Sequence, residues 1–249
     1  VRGNVLVTGG AKRLGAAMAR ACTAAGWRVV IHYATSGHEA EALAREIGGA
    51  TVSGDLAEVA AAGELFDRAV QAAGGPIQAL INNASSFEED RPEAIDPVLA
   101  ARLYTINCTA PTVLSARFAA QSGLEDGVIV NLLDQKLANP NPDFFSYSLS
   151  KYALAGATEM MAMAFAPRVR VNAVAPGLTL PSGDQDAAEF HDVARANLLA
   201  RPVGAAQVAD AVVYLLGARS VTGQTLYVDS GQRFLKREGD VMFEGRDRG

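Results

Sequence analysis

With 249 residues, 49% of them hydrophobic and 20% charged, the chain has the size and composition of one α/β domain with a sizeable core. A formal net charge of −5 without a basic run argues against generic nucleic-acid binding, and no apolar run reaches the ~18 residues of a membrane span. Cys22 and Cys108 fall in predicted helices without metal-ligand spacing, and the chain starts directly on a strand-like NVLVTG with no visible signal peptide; both features suit reduced thiols in a metal-free cytoplasmic protein.

Strand-like runs alternate with helical patterns from end to end. The strands are NVLVTG (4–9), RVVIHY (28–33), ATVSG (50–54), QALINNA (78–84), GVIVNLL (127–133), RVRVNAVA (168–175) and QTLYVDS (224–230). They are rich in Val, Ile and Leu with little polar alternation, as expected of strands covered on both faces. Helices are predicted over 13–25, 37–47, 57–73, 93–121, 145–166, 186–198 and 207–217. Gly26 closes the first of them, and Asp55 with Glu58 reads as a capping box for the third. The rhythm predicts a single α/β domain over 1–249, a doubly wound, seven-stranded parallel sheet with its site at the strand C-terminal ends. Residues 177–200, rich in Gly, Pro, Asp and Ala, interrupt the rhythm and read as a lid. The charged tail at 235–249 stays unassigned.

The first strand runs into TGGAKRLG (8–15), which opens a helix. Gly9, Gly10 and Gly15 suit a tight turn that brings the backbone onto a pyrophosphate at a helix N-terminus. Arg13 stands where the usual fingerprint has its middle glycine. At the end of the second strand, where an NAD site carries an acid, the chain offers His32, Tyr33, Thr35 and Ser36, with no carboxylate before Glu39. Together with Lys12 and Arg13 this set accepts a 2′-phosphate and favours NADPH over NADH. Lys12 and Arg13 as plainly solvated charges, and Asp55 as a helix cap in place of an adenine ligand, are the alternatives.

Tyr147 and Lys151, four apart, share a helix face, where an ammonium beside a phenol lowers the phenol's pKa. TGGAKRLG, INNAS (81–85), YSLSK (147–151) and VNAVAPG (171–177) together resemble the short-chain dehydrogenase/reductase family along nearly the whole chain. The resemblance implies a Rossmann-fold sheet, a nicotinamide cofactor, Tyr147 as proton donor and Lys151 as its activator. It also implies that Asn107 holds a proton-relay water, that Asn83 and Ala84 support the cofactor, and that Pro176 and Gly177 meet the carboxamide. Leu14, Leu56 and Thr179, in the same stretches, are assigned to the cofactor as well. A homotetramer packed through the helices at 93–121 and 145–166 is implied too.

In most of that family a serine stands 13 residues before the tyrosine; here it is Asp134. A carboxylate offers acceptors where a developing oxyanion needs a donor, so it suits a heterocycle bearing N–H groups and a C=N bond. NNASSF replaces the usual NNAG, and Phe87 offers a flat face to a planar ring. KRLG, IHY, NNASSF, PGLT and Asp134 resemble the pteridine reductases, including the dihydromonapterin reductases. The resemblance makes Asp134, Tyr147 and Lys151 partners in reduction, Ser85 a contact to cofactor and pterin, and Phe87 a stacking partner. Asp134 capping a turn or pairing with Lys136, and Phe87 as ordinary packing, are the competing readings. The alternative activities are a ketone or 3-oxoacyl reductase and a non-catalytic NADP(H) sensor.

Overall fold

The computed structural model describes residues 2–181, 190, 193–237 and 239–240. Seven parallel strands form one sheet in the order β3-β2-β1-β4-β5-β6-β7. They are β1 Asn4–Val7, β2 Arg28–Tyr33, β3 Ala50–Ser53, β4 Ala79–Asn82, β5 Gly127–Leu132, β6 Val169–Pro176 and β7 Thr225–Val228. Period-two alternation divides each strand between two cores. Val5 and Val7 face the core under α1 (Arg13–Ala24), α2 (Gly37–Ile47) and α7 (Ala205–Gly217). Leu6 faces the other, built with α3 (Val59–Ala73) and α5 (Ala110–Ala119). In α3 the buried residues Ala62, Leu65, Phe66 and Ala69 follow the spacing of one helical stripe. This is the doubly wound fold expected, and the strand order reverses between β1 and β4, where such sheets open a ligand crevice.

Gly26, at φ +88, ends α1 in a Schellman motif, with Trp27 N–H donating to Cys22 O and Gly26 N–H to Thr23 O. The capping box does not form. α3 starts at Val59 after Glu58, which makes no side-chain cap, and Asp55 Oδ1 accepts from Ala57 N–H at 2.9 Å. The aspartate is satisfied inside its own turn before the helix begins.

The helix expected over 93–121 is divided. α4 runs Pro97–Tyr104, begun by Asp96, whose side chain accepts from Val98 N–H, with Pro97 in the first turn. One π turn, Thr105–Thr109, then joins it to α5. The sequence explains the break: an α-helical bond to the Asn107 carbonyl would have to come from Pro111, which has no N–H. α6 spans Phe145–Phe165 and crosses the site with its first two turns. Among the described residues no helix is long and apolar enough to cross a membrane. Residues 182–189 and 191–192, which belong to the expected 177–200 lid and in part to the helix expected over 186–198, lie outside the described residues, as do 238 and 241–249 of the tail.

Candidate active site

Two adjoining clefts lie at the C-terminal ends of the strands. The first, about 460 Å³, has walls from the β1–α1 loop, the end of β2 and the start of the β4 loop. Gly9 sits at φ +59, and a Cβ there would press on Ala84 Cα at 3.0 Å. A Cβ on Gly15 would collide with the Gly9 carbonyl oxygen, so the loop can fold this tightly only with glycine at both positions. Arg13 takes φ +52 at the position where the family fingerprint has glycine, a left-handed conformation costing an L-residue ~1–2 kcal/mol. Its guanidinium donates to Pro181 O at 2.6 Å, joining the loop to the segment after β6. Lys12 caps α1 by backbone alone, so the first-turn N–H groups of that helix lie uncapped at the cleft.

His32 lines this cleft yet cannot serve as an anion's cationic partner. Its Nδ1 accepts from Gly9 N–H at 3.1 Å and its Nε2 lies 3.0 Å from Gly54 O, which assigns a neutral ring protonated on Nε2. Burial also lowers its pKa. His32 therefore leaves the expected 2′-phosphate grip and becomes a buried tie between the β1, β2 and β3 ends. Lys12 Nζ pairs with Glu39 Oε1 at 3.0 Å on the exposed rim, a pairing that solvent keeps weak. Tyr33, Ser36, Asp55 and Leu56 complete the wall. Ser36 precedes α2 without using its side chain as a cap. Asn83 Nδ2 donates to Thr8 O and Gly9 O, and the Ala84 N–H to Thr8 Oγ1, so the β4 end is stitched to the glycine loop.

The second cleft, also about 460 Å³, is lined by Ser85, Phe87, Asp134, Tyr147, Lys151 and Gly177, among others. Tyr147 Oη donates to Asp134 Oδ2 at 2.9 Å. Asp134 Oδ1 accepts from Lys136 N–H at 2.9 Å, so the carboxylate also caps the short turn Gln135–Leu137. Cap and site partner are thus one residue. Lys151 Nζ donates to Leu132 O at 2.9 Å and stands 5.6 Å from the Tyr147 ring centre.

These contacts reverse one expectation. Burial, followed by the adjacent Asp134 charge, holds the Tyr147 phenol well above its ordinary pKa, where the Tyr–Lys spacing had implied a lowered one. Asp134 itself is pushed up by burial, against the pull of its hydrogen bonds from Lys136 and Tyr147. Burial lowers Lys151 to about 8, with Asp134 and Cys108 opposing. The carboxylate touches the phenol while the ammonium is turned to a carbonyl, so the nearer charge prevails.

Phe87 stacks on Phe144 with ring centres 4.1 Å apart and meets Tyr147 edge-on at 4.7 Å. Asn107 Oδ1 accepts from Ser85 Oγ and Ser86 N–H, and its Nδ2 donates to Ser86 O and Ser150 Oγ. Its side chain therefore braces the β4 loop against α6. Pro176 and Thr179 stand at the mouth, with Gly177 held by a 2.9 Å bond to Val228 O.

Sequence reasoning did not assign a site role to Lys136, Gln232 or Asp240. Lys136 Nζ reaches Asn141 Oδ1 at 2.8 Å and Asp240 Oδ2 at 2.7 Å, and makes no ion pair with Asp134. Gln232 Oε1 accepts from Leu178 N–H at 2.8 Å, fixing the segment after β6. In the loop Asp143–Phe145, which the sequence places beside the site as either pocket lining or core, Phe144 is buried against Phe87.

A Rossmann sheet, a glycine loop opening α1 and a Tyr–Lys pair on α6 define a nicotinamide-type oxidoreductase scaffold. The family model described as Enoyl-(Acyl carrier protein) reductase matches residues 9–233, and the chain belongs to the short-chain dehydrogenase/reductase family. It is similar to "Pteridine reductase 1" of Leishmania tarentolae, at 33% identity over 91% of this chain and 94% of that protein. It is similar also to "Granaticin polyketide synthase putative ketoacyl reductase 2" of Streptomyces violaceoruber, at 32% identity over 92% of this chain and 96% of that one. Among solved structures, FolM alternative dihydrofolate reductase 1 from Brucella canis, complexed with NADP, superposes with a TM-score of 0.90 at 37% identity. That match covers 99% of this chain and 97% of that one.

Proposed function

We propose that the protein is an NADPH-dependent reductase of pterin or dihydropterin rings. The observation that carries this reading is the Tyr147–Asp134 hydrogen bond of 2.9 Å, made at the position where most of the family has a serine. The likeness to a pteridine reductase and to a FolM dihydrofolate reductase solved with NADP supports it.

The first cleft fits NADP(H) by its donors: the uncapped amides of α1, Lys12, Arg13 and the Ser36 hydroxyl, with no acid on β2 itself. Gly9, Leu14, Tyr33, Asp55 and Leu56 hold the adenosine and pyrophosphate half, and Asn83, Ala84, Pro176, Gly177 and Thr179 the nicotinamide half. Bound NADPH supplies a hydride, which a ring carbon of the substrate accepts. Tyr147 delivers a proton to the adjacent ring nitrogen, so the C=N bond becomes CH–NH, and Asp134 replaces the proton on the phenol. Its raised pKa keeps that proton available nearer neutrality than an ordinary carboxyl would. Lys151 holds the nicotinamide ribose, Ser85 touches cofactor and substrate, and Phe87 covers the ring. Asn107 positions Ser85 and, through a main-chain carbonyl freed by Pro111, holds a relay water.

Purified protein should consume NADPH with dihydrobiopterin or dihydromonapterin. No consumption across a panel of oxidised pterins and folates sinks the proposal. The likeness to a putative ketoacyl reductase favours ketone reduction as the second reading. For assembly we propose a cytoplasmic homotetramer. Val98 and Tyr104 on α4 and Met160 and Met163 on α6 are exposed apolar residues suited to subunit packing, and a monomeric mass by sedimentation contradicts this.

A further inference from the structure

The helix that carries Tyr147 and Lys151 begins without a cap of its own. The residue at the N-cap position of α6 is Phe144, held at φ +55, and its side chain has no oxygen to offer the first amides. The cap comes instead from Asp90, 56 residues before Ser146, in the loop between β4 and α4. Its carbonyl oxygen accepts from Phe145 N–H at 3.1 Å and its Oδ1 from Ser146 N–H at 2.8 Å, while its Oδ2 accepts from the Ser146 hydroxyl. Asp90 is buried, and a negative charge at this end of a helix is favoured by the dipole as well. In the same loop Arg91 Nη2 pairs with Asp143 Oδ1 at 2.9 Å, and Phe87 packs on Phe144 and Tyr147. The loop over the substrate cleft and the start of α6 are therefore joined residue by residue.

We propose that Asp90 is a positioning residue for the reaction: by capping α6 from the β4–α4 loop it fixes Tyr147 against Asp134 and against the ring that Phe87 covers. This deepens the reading of Tyr147 as proton donor and rests on it. Tyr147 follows Ser146 directly, so a shift of the first turn moves the phenol oxygen. Lys151, one turn further on, has its own anchor in Leu132 O at 2.9 Å, and the first cleft is walled mainly by the β1–α1 loop and the end of β2. Loss of the cap therefore reaches the proton-transfer step and spares cofactor binding. A misplacement of about 1 Å in a reacting group costs on the order of 100-fold in rate.

The experiment measures kcat and KM on a dihydropterin, with the affinity and stoichiometry of NADPH, in wild type, Asp90→Ala, Asp90→Asn and Ser146→Ala. Asp90→Ala lowers kcat by about 10- to 100-fold, with NADPH affinity and stoichiometry as in wild type. Asp90→Asn, whose amide oxygen still accepts from Ser146 N–H, restores most of kcat, since asparagine caps a helix about as well as aspartate. Ser146→Ala removes the hydroxyl bond alone and lowers kcat by about 2- to 10-fold, the worth of one hydrogen bond. Unchanged kcat in Asp90→Ala overturns the proposal. So does a loss that Asp90→Asn does not repair, or one that falls in step with NADPH stoichiometry, the mark of a merely structural role. If Asp90→Ala does not fold, Ser146→Ala decides: a kcat loss with full NADPH binding supports the proposal, and unchanged kcat overturns it. If wild type turns over no pterin, the pterin reading fails by itself. Crystal structures of the NADP-bound proteins then decide the role of Asp90: the Tyr147–Asp134 hydrogen bond is broken in Asp90→Ala and kept in Asp90→Asn, and a bond kept in both overturns the proposal.

Discussion

Tyr147 Oη lies 2.9 Å from Asp134 Oδ2, and the other oxygen of that carboxylate, Oδ1, lies 2.9 Å from the Lys136 amide. The carboxylate thus serves a turn and a phenol together. Asp134→Asn separates the two duties, because an amide oxygen still caps the turn but cannot relay a proton. The expected outcome is a loss of ~10²–10⁴-fold in kcat/KM on a dihydropterin, the usual worth of general acid–base catalysis. Unfolding free energy should change by less than ~1 kcal/mol, within the range of a single neutral hydrogen bond. Steady-state kinetics and denaturant melts on the same preparation check both halves.

Lys151 gives a pH prediction with a defined sign. Its folded pKa, about 8, lies below its ordinary 10.5. Between those values the unfolded chain binds the proton more tightly, so Lys151's contribution to stability rises with pH from about 8 to 10.5. Below that window the buried ammonium costs stability, on the order of 3 kcal/mol at ~1.36 kcal/mol per unit. Lys151→Met should therefore raise the melting temperature of the cofactor-free protein near pH 7 and raise it less near pH 10, while abolishing turnover. A gain independent of pH would contradict the assignment.

Phe87 presents a ring stacked on Phe144 at 4.1 Å. An aromatic stack is worth ~0.5–1.5 kcal/mol beyond burial, or roughly 2- to 10-fold in affinity. Phe87→Ala should raise the pterin KM by about that factor and leave the KM for NADPH within about twofold.

The Lys12–Glu39 pair at 3.0 Å sits on the rim of the cofactor cleft. With NADPH as the cofactor, Glu39 competes with the 2′-phosphate for the lysine. Glu39→Gln should tighten NADPH binding by about 2- to 5-fold, and Lys12→Ala should weaken it, with both differences shrinking in high salt. Binding of NADH should hardly change in either variant. Fluorescence titration with the two cofactors tests this directly.

Much of this arrangement is legible in the sequence alone. Both faces of the sheet are buried, so strands such as GVIVNL read as unbroken apolar runs, and the glycine loop and Tyr147–Lys151 have fixed spacings. The parts that are not legible come from contacts between distant segments. The two partners of His32 arrive from the β1 and β3 loops, and neither is visible in IHYATS. The direction of the Tyr147 shift depends on burial and on which charge touches the oxygen, whereas an i,i+4 spacing shows only that two side chains share a face. The division of 93–121 is readable in part, since Asp96–Pro97 and Pro111 are local signals. Asp240 lies in a tail without periodicity, and only the fold brings it to Lys136.

The central claim is that a carboxylate at position 134 directs this scaffold to a nitrogen heterocycle and away from a ketone. The most direct measurement compares kcat/KM for a dihydropterin and for a ketone in wild type and in Asp134→Ser, which restores the usual family residue. The account predicts at least ~100-fold loss on the dihydropterin, with ketone turnover negligible in wild type and unchanged or increased in the variant. Undiminished dihydropterin turnover in Asp134→Ser, or substantial ketone turnover already in wild type, would contradict it.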